Sequence, residues 1–191
     1  MATSELRSRD MMVEREISKF LDEKLYSNSS IFSKTERTDN IENQLSGSDI
    51  IISIPKLGII NAIVDEKAAT HYINKNLPTF AFELCFKLNN GKIVEGWLTD
   101  TGKKTQFYLL MWISAKKDWD IKKEDITQIE YILIERNKIL SYLNSKGYGI
   151  FELKNKAKII LNNNIDGVID KLSDTAYYFY FSNRLTEKPI N

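Results

Sequence analysis

The sequence has very little cysteine and no long apolar stretch. Cys85 is the one cysteine among 191 residues, which excludes an intrachain disulfide and any zinc site built on several thiolates. No apolar run approaches the roughly 20 residues that cross a bilayer, and the first residues lack the apolar segment of a secretory signal. We therefore expect a cytoplasmic protein with no membrane partner.

The sequence also has almost no excess of charge of either sign. Its 27 lysines and arginines against 26 acids leave a net charge of +1, less basic than a strong nonspecific nucleic-acid binder. Any nucleic-acid surface must therefore be local. The length suits one ordinary domain, which we place at residues 10–191, after a disordered terminus at residues 1–9.

The pattern of apolar residues predicts more strands than helices. One amphipathic helix is expected over Asp10–Leu25, where apolar residues recur at helical spacing. A second helix is expected from Arg136 to Lys146, and most other segments alternate as strands do. The fold class is therefore α+β or α/β, with a central mixed sheet flanked by helices.

The stretch from Gln44 to Ala69 reads as two apolar strands joined by a turn. If the pairing is centred on Leu57, Asp49 lies directly opposite Asp65 and projects to the same side of the sheet. Lys67 shares that face because side chains alternate along a strand, whereas Glu66 points the other way. Gly58 supports this register, since a three-residue turn over 56–58 favours a left-handed glycine.

Two carboxylates side by side repel each other unless a proton or a cation joins them. A hard divalent ion such as Mg²⁺ is the natural partner of carboxylate oxygens. Lys67 would stand beside that ion, where an ammonium orients a nucleophile or neutralises a phosphate.

At these residues the chain resembles the PD-(D/E)XK nuclease superfamily, which has the restriction-endonuclease-like fold. Asp49 matches its first acid, Asp65 its second and Lys67 its lysine, although Ser48 stands where many members have proline. The resemblance implies a phosphodiesterase that uses Mg²⁺, or Mn²⁺ in its place, with DNA as the expected substrate. Both acids and the backbone carbonyl of Glu66 would bind the metal, and Lys67 would assist the attacking water.

Some further residues are weaker candidates. Gln44 is placed to orient water or a phosphate oxygen, or else is a solvated loop residue. Glu14 would reach toward the metal from the first helix, as an acid does in some members of the superfamily, or else is solvated. The basic residues Lys154, Lys156 and Lys158 would share one face and contact phosphates if their segment is extended, and would scatter if it is helical.

A nonenzymatic interpretation competes with the nuclease. Charged triplets at strand ends are common, so Asp49 and Lys67 would then form an internal ion pair in an inactive protein of the same fold that binds nucleic acid or a protein partner. The sequence is also compatible with a homodimer. Around Trp119, lysines alternate with acids, which favours a solvated loop over a phosphate-binding one.

Overall fold

A computed structural model describes residues 2–38, 46–75, 79–87, 91–162, 167–171 and 178–181. The helices in these ranges are α1 (Ala2–Leu21), α2 (Arg136–Ser145) and α3 (Ile150–Asn162). The strands are β1 (Lys34–Arg37), β2 (Ile50–Ile54), β3 (Ile59–Ala68), β4 (Cys85–Lys87), β5 (Ile93–Glu95), β6 (Phe107–Ala115), β7 (Ile126–Glu135), β8 (Gly167–Lys171) and β9 (Tyr178–Phe181). Helices and a mixed sheet together give an α+β class.

The chain divides into two compact units. The first holds Met1–Ala81 and Gly102–Arg136, and the second holds Phe82–Thr101 and Asn137–Asn191. The single domain expected from the sequence stays a prediction. The disordered terminus expected at residues 1–9 stays a prediction too, although α1 begins at Ala2. In the described ranges, none of the helices combines the length and apolarity that a membrane span requires.

A five-stranded sheet forms the centre of the first unit, in the order β1, β2, β3, β6, β7. Strands β1, β2 and β3 form an antiparallel meander. Strand β6 then runs parallel to β3, and β7 returns antiparallel to β6. The predicted mixed sheet is thus confirmed, and its one parallel pair aligns the acid-bearing end of β3 with the start of β6.

Helix α1 covers one face of this sheet. Its buried residues Val13, Ile17 and Leu21 recur every four positions, so they form one stripe along the helix. They pack in a single apolar cluster with strand residues that include Val64 and Met111. Since successive strand residues alternate between faces, Asp65 and Lys67 lie on the opposite face from Val64.

The hairpin of β2 and β3 is closed by a 3₁₀ turn over Pro55–Leu57 and by Gly58, whose φ of 67° is left-handed. The loop has one residue more than the predicted turn because a register shift falls between Ile52 and Ile54. Beyond the shift, Ile50 pairs with Val64. The register at the acid-bearing end is therefore the predicted one.

The second unit contains two small antiparallel hairpins, β4 with β5 and β8 with β9, together with α3. The extended conformation considered for the three lysines of residues 154–158 was wrong, because these residues are part of α3. Leu153, Ala157 and Ile160 are buried along this helix. Their spacing puts one apolar stripe toward the unit's core, and burying that stripe favours helix over strand.

Candidate active site

Asp49 and Asp65 lie side by side across the hairpin. The backbone N–H of Asp49 donates to the carbonyl of Val64 at 3.0 Å, which places residue 49 one step beyond the Ile50 and Val64 pair and opposite Asp65. Oδ2 of Asp49 accepts a hydrogen bond from the backbone N–H of Glu66 at 2.7 Å. This contact holds the carboxylate of Asp49 against β3.

Lys67 completes the group. Its Nζ donates to Oδ1 of Asp65 at 2.5 Å. The side chain of Lys67 is 27% exposed while that of Asp65 is only 3% exposed. The structure therefore brings together the three residues that the sequence singled out, with the ammonium on the more accessible side of the buried carboxylate.

Burial and the charge of Asp65 govern the protonation of Asp49. Burial, followed by the charge of Asp65, raises the pKa of Asp49 to about 7, although Lys67 and the N–H of Glu66 act in the opposite direction. Burial would lower the pKa of Lys67, but the negative charges of Asp65, Asp49 and Glu14 outweigh it and raise that pKa. Near neutral pH the pair thus readily keeps a proton, whereas the lysine stays charged.

This donor set fits a hard divalent cation. Two adjacent carboxylates, of which Asp49 has a raised pKa, present a site at which a dication would replace a proton. No group of three or more histidines, cysteines or acids that could together hold a metal ion occurs within the described ranges. The protein would therefore supply two acids, with the Glu66 carbonyl and water as the remaining ligands, which suits Mg²⁺ because it keeps several waters.

The other predicted residues have different placements. Glu14 is exposed on α1, yet its charge acts on the pKa of Lys67, so it lies within electrostatic range of the group. Gln44 lies outside the described residues. The three lysines do not share one face, as they would in an extended segment, because on α3 Lys156 lies across the helix from Lys154 and Lys158. Lys154 instead pairs with Glu95 at 2.6 Å.

The side chain of Glu66 lies on the opposite face of the sheet from Asp65 and Lys67. Its carboxylate accepts hydrogen bonds from Tyr26 Oη at 2.7 Å and from Arg37 Nη1 at 2.8 Å, with Ser18 Oγ at 3.4 Å. These contacts attach β3 to α1 and to the residues that follow it. The role of this side chain in the described structure is therefore to anchor the strand that carries Asp65 and Lys67.

Gly47 allows the chain to pass close to Asp65. A Cβ at this position would lie 3.6 Å from Asp65 Oδ2, 3.1 Å from Lys103 Cδ and only 2.2 Å from Thr105 Oγ1. Thr105 Oγ1 donates to the carbonyl of Gly47 at 2.7 Å, which fixes this approach. Nothing in the sequence indicated that Lys103 would be a second basic residue near the acids.

Tyr108 and Arg136 are also close to the acids and were missed. Tyr108 aligns with Asp65 in the parallel ladder, and its Oη accepts a hydrogen bond from Arg136 Nε at 3.1 Å. Burial raises the pKa of Tyr108 to about 12, and the charges of Arg136, Asp65 and Lys67 all act on it. Arg136 follows β7, far along the chain, so only the pairing of β6 with its neighbours reveals this proximity.

Comparisons of the chain with protein-family models, with curated proteins and with solved structures gave no match. The geometry of Asp49, Asp65 and Lys67 and the resemblance in these residues are therefore the basis for a function.

Proposed function

We propose that the chain is a Mg²⁺-dependent nuclease that hydrolyses phosphodiester bonds, with DNA as its substrate. The observation that carries the proposal is the convergence of Asp49, Asp65 and Lys67 on one face of the sheet. Two acids at adjoining strand ends provide a binding site for a cation. The charged amine beside them provides a group next to which a phosphate can bind.

The order of elements also supports a restriction-endonuclease-like fold. A helix, three antiparallel strands and then a fourth strand parallel to the third is the order that the resemblance implies. The segment between β3 and β6 departs from it, because this segment contains the β4 and β5 hairpin and no α-helix in its described part. The connection from β3 to β6 is long enough for β6 to run parallel to β3 without the α-helix that such connections usually contain.

Each residue has a definite task in this proposal. Asp49 and Asp65 hold Mg²⁺, with Mn²⁺ as a substitute, and the bound ion supplies Lewis acidity and a more acidic water. Lys67 orients the attacking water and offsets negative charge on the phosphate, because its raised pKa keeps it charged. Asp65 also positions Lys67 through their ion pair.

Basic residues near the acids favour a polyanionic substrate. Lys103 approaches Gly47 beside Asp65, and the buried Arg136, which contacts Tyr108 on the same face, adds to the local positive potential without being exposed itself. This provides local positive charge in a chain whose net charge is only +1.

We place the activity in the cytoplasm, as the sequence suggested. A homodimer is compatible with this proposal, and light scattering on the purified chain measures the oligomeric state.

The direct test is cleavage of supercoiled plasmid and of single-stranded DNA with Mg²⁺ or Mn²⁺. Asp65→Ala and Lys67→Ala should each lower the rate about 100-fold, because each removes a group that acts on the reacting atoms. Lys56→Ala is the matched control, since Lys56 lies exposed in the turn of the same hairpin. Equal rates in the wild type and both site variants would eliminate the proposal.

One observation favours the inactive alternative. The inactive interpretation expected Asp49 as the ion-pair partner of Lys67, and the contact of Lys67 with the buried Asp65 at 2.5 Å is likewise what a purely structural ion pair would show. In that case neither Mg²⁺ nor Mn²⁺ would raise the melting temperature, the wild type would cleave no DNA, and Lys67→Ala would lower the stability alone. A metal-dependent rise in the wild type that Asp49→Ala abolishes would support the nuclease instead.

A further inference from the structure

Lys103 approaches the acids beside a different oxygen of Asp65 from the one that Lys67 binds. Lys67 Nζ donates to Oδ1 of Asp65. The other oxygen, Oδ2, lies toward Gly47, because a Cβ at Gly47 would be 3.6 Å from it and 3.1 Å from Lys103 Cδ. The buried carboxylate of Asp65 therefore has the ammonium of one lysine at Oδ1 and the aliphatic stem of a second lysine close to Oδ2.

The segment that carries Lys103 is fixed on two sides. Thr105 Oγ1 donates to the carbonyl of Gly47 at 2.7 Å, which ties the segment to the residues before β2. Gln106 ties it to β3, because its backbone N–H donates to the carbonyl of Ile63 at 3.0 Å and its Oε1 accepts from the N–H of Ile63 at 2.8 Å. The stem of Lys103 is thus positioned before any ligand arrives, which lowers the entropic cost of binding one.

The neighbouring Lys104 carries the same charge in a different position. Its backbone N–H donates to the carbonyl of Ser46 at 2.8 Å, while its side chain is exposed. Lys103 is only partly exposed, since its stem lies against Gly47. The position beside the acids therefore belongs to Lys103 in particular and is not a general property of a basic segment.

The charges of this group favour a ligand with more than one anionic group. Two acids and two lysines balance each other in the metal-free chain. A dication at Asp49 and Asp65 would neutralise the acids, so that Lys67 and Lys103 would leave the site with an excess of positive charge. Successive phosphates of a nucleic-acid strand supply negative charge at regular intervals and match two separate cations.

We propose that Lys103 binds the phosphate next to the one that is cleaved. The role rests on the proposed function, in which the metal and Lys67 take the reacting phosphate. The ammonium of Lys103 donates to a nonbridging oxygen of the flanking phosphate, a contact that positions the strand and reads no base. The flanking phosphate does not react, so Lys103 holds it equally in the ground state and in the transition state.

The first test measures binding without cleavage. A short fluorescein-labelled DNA duplex is titrated with Ca²⁺ in place of Mg²⁺, and anisotropy gives the affinity at several KCl concentrations. Lys103→Met should weaken binding about tenfold and lower the salt dependence by about one ion. Lys103→Arg should restore most of both, because a guanidinium also binds phosphate. Lys104→Met is the matched control and should change the affinity by about twofold or less, because its exposed charge is screened.

The second test measures plasmid cleavage with Mg²⁺. Lys103→Met should raise KM about tenfold and keep kcat within about threefold of the wild type, because a contact made equally in both states changes binding alone. A loss of kcat at unchanged KM would place Lys103 on the reacting phosphate and overturn the flanking contact. Equal losses in Lys103→Met and Lys103→Arg would show that packing of the stem matters and its charge does not, which would overturn it as well.

The outcomes separate this inference from the nuclease. Cleavage that depends on Asp65 and Lys67, with binding by Lys103→Met equal to that by Lys104→Met, would overturn the role of Lys103 alone. Binding that depends on Lys103 in a wild type that cleaves nothing would overturn the nuclease and support Lys103 as a phosphate contact of an inactive nucleic-acid binder. A wild type that binds no duplex would overturn the role of Lys103.

Discussion

Asp49 faces Asp65 across the β2 and β3 ladder, and burial, followed by the negative charge of Asp65, raises the pKa of Asp49 to about 7. A side chain that is harder to ionise in the folded chain than in the unfolded chain makes the free energy of unfolding depend on pH. The folded state binds the extra proton between about pH 4 and pH 7, so this stabilisation is lost as the pH rises through that range.

Asp49→Asn should therefore stabilise the metal-free chain at pH 8 and change little at pH 4. Asparagine cannot ionise, yet its Oδ1 can still accept the hydrogen bond from the Glu66 N–H. Because the site is partly solvated, we expect a gain of about 1 to 3 kcal/mol in the free energy of unfolding at pH 8. Denaturant unfolding across this pH range measures it.

Glu36→Gln is the control for this change. Glu36 is an exposed acid of β1 that pairs with Lys34 at the surface, so its loss should leave the pH dependence as it is in the wild type. If Asp49→Asn gave a pH profile parallel to that of the wild type, the two carboxylates would not be coupled as the structure indicates.

Mg²⁺ and protons should compete for the same pair of acids. The rise in melting temperature caused by a fixed Mg²⁺ concentration should therefore be larger at pH 8 than at pH 6. Asp65→Asn should remove the rise at both values, because it deletes one of the two anionic ligands. Differential scanning fluorimetry with Ca²⁺ and K⁺ as comparison salts checks this, and a pH-independent rise would place the cation elsewhere.

The hairpin that holds these acids was the most predictable part of the chain. Its register was predicted from a turn centred on Leu57 and from Gly58, whose left-handed φ suits a tight reversal. The 3₁₀ turn adds one residue, but the shift between Ile52 and Ile54 restores the pairing further along. The face shared by Asp49 and Asp65 was predictable because it depends on pairing within one local hairpin, but the compensating shift was not predicted.

The rest of the site was not predictable because it depends on distant segments. Arg136 reaches Tyr108 only after β6 and β7 pair, and no local pattern encodes that pairing. In α3 the alternating lysines masked the helical spacing of Leu153, Ala157 and Ile160, which is an apolar signal that the sequence does contain. Charge alternation is weak evidence for a strand because exposed charges fit either structure.

Gly47→Ala should damage both stability and the site. The φ of 77° already disfavours alanine, and the added Cβ would lie 2.2 Å from Thr105 Oγ1. We expect a loss of about 2 to 4 kcal/mol in the free energy of unfolding, together with loss of Mg²⁺ binding because the backbone beside Asp65 must move.

Gly58→Ala is the matched control for Gly47. Its φ of 67° imposes a similar backbone strain, but a Cβ there would meet no atom within 4 Å. The expected loss is about 1 kcal/mol, with Mg²⁺ binding unchanged. Equal losses for the two variants would show that the packing around Gly47 contributes nothing beyond backbone strain.

Glu66→Gln should lower the stability of the protein and leave cleavage nearly unchanged, because the side chain anchors β3 and does not take part in the reaction. The carboxylate of Glu66 accepts hydrogen bonds from Tyr26 and Arg37 on the face away from Lys67. A neutral amide would weaken the bond from Arg37 and leave its charge less well paired, so the free energy of unfolding should fall by about 2 to 3 kcal/mol. Tyr26→Phe combined with it should show coupling above about 0.5 kcal/mol in a double-mutant cycle.

Cleavage by Glu66→Gln below its melting temperature should stay within about threefold of the wild type, because its backbone, and not its side chain, faces the acids. The Glu66 N–H that donates to Asp49 and the carbonyl proposed as a metal ligand are both unchanged by the substitution. Stability is read from denaturant unfolding and activity from plasmid cleavage on the same preparation. A large loss of cleavage with full stability would mean that the side chain takes part in the reaction, and the assignment of Glu66 as an anchor would then fail.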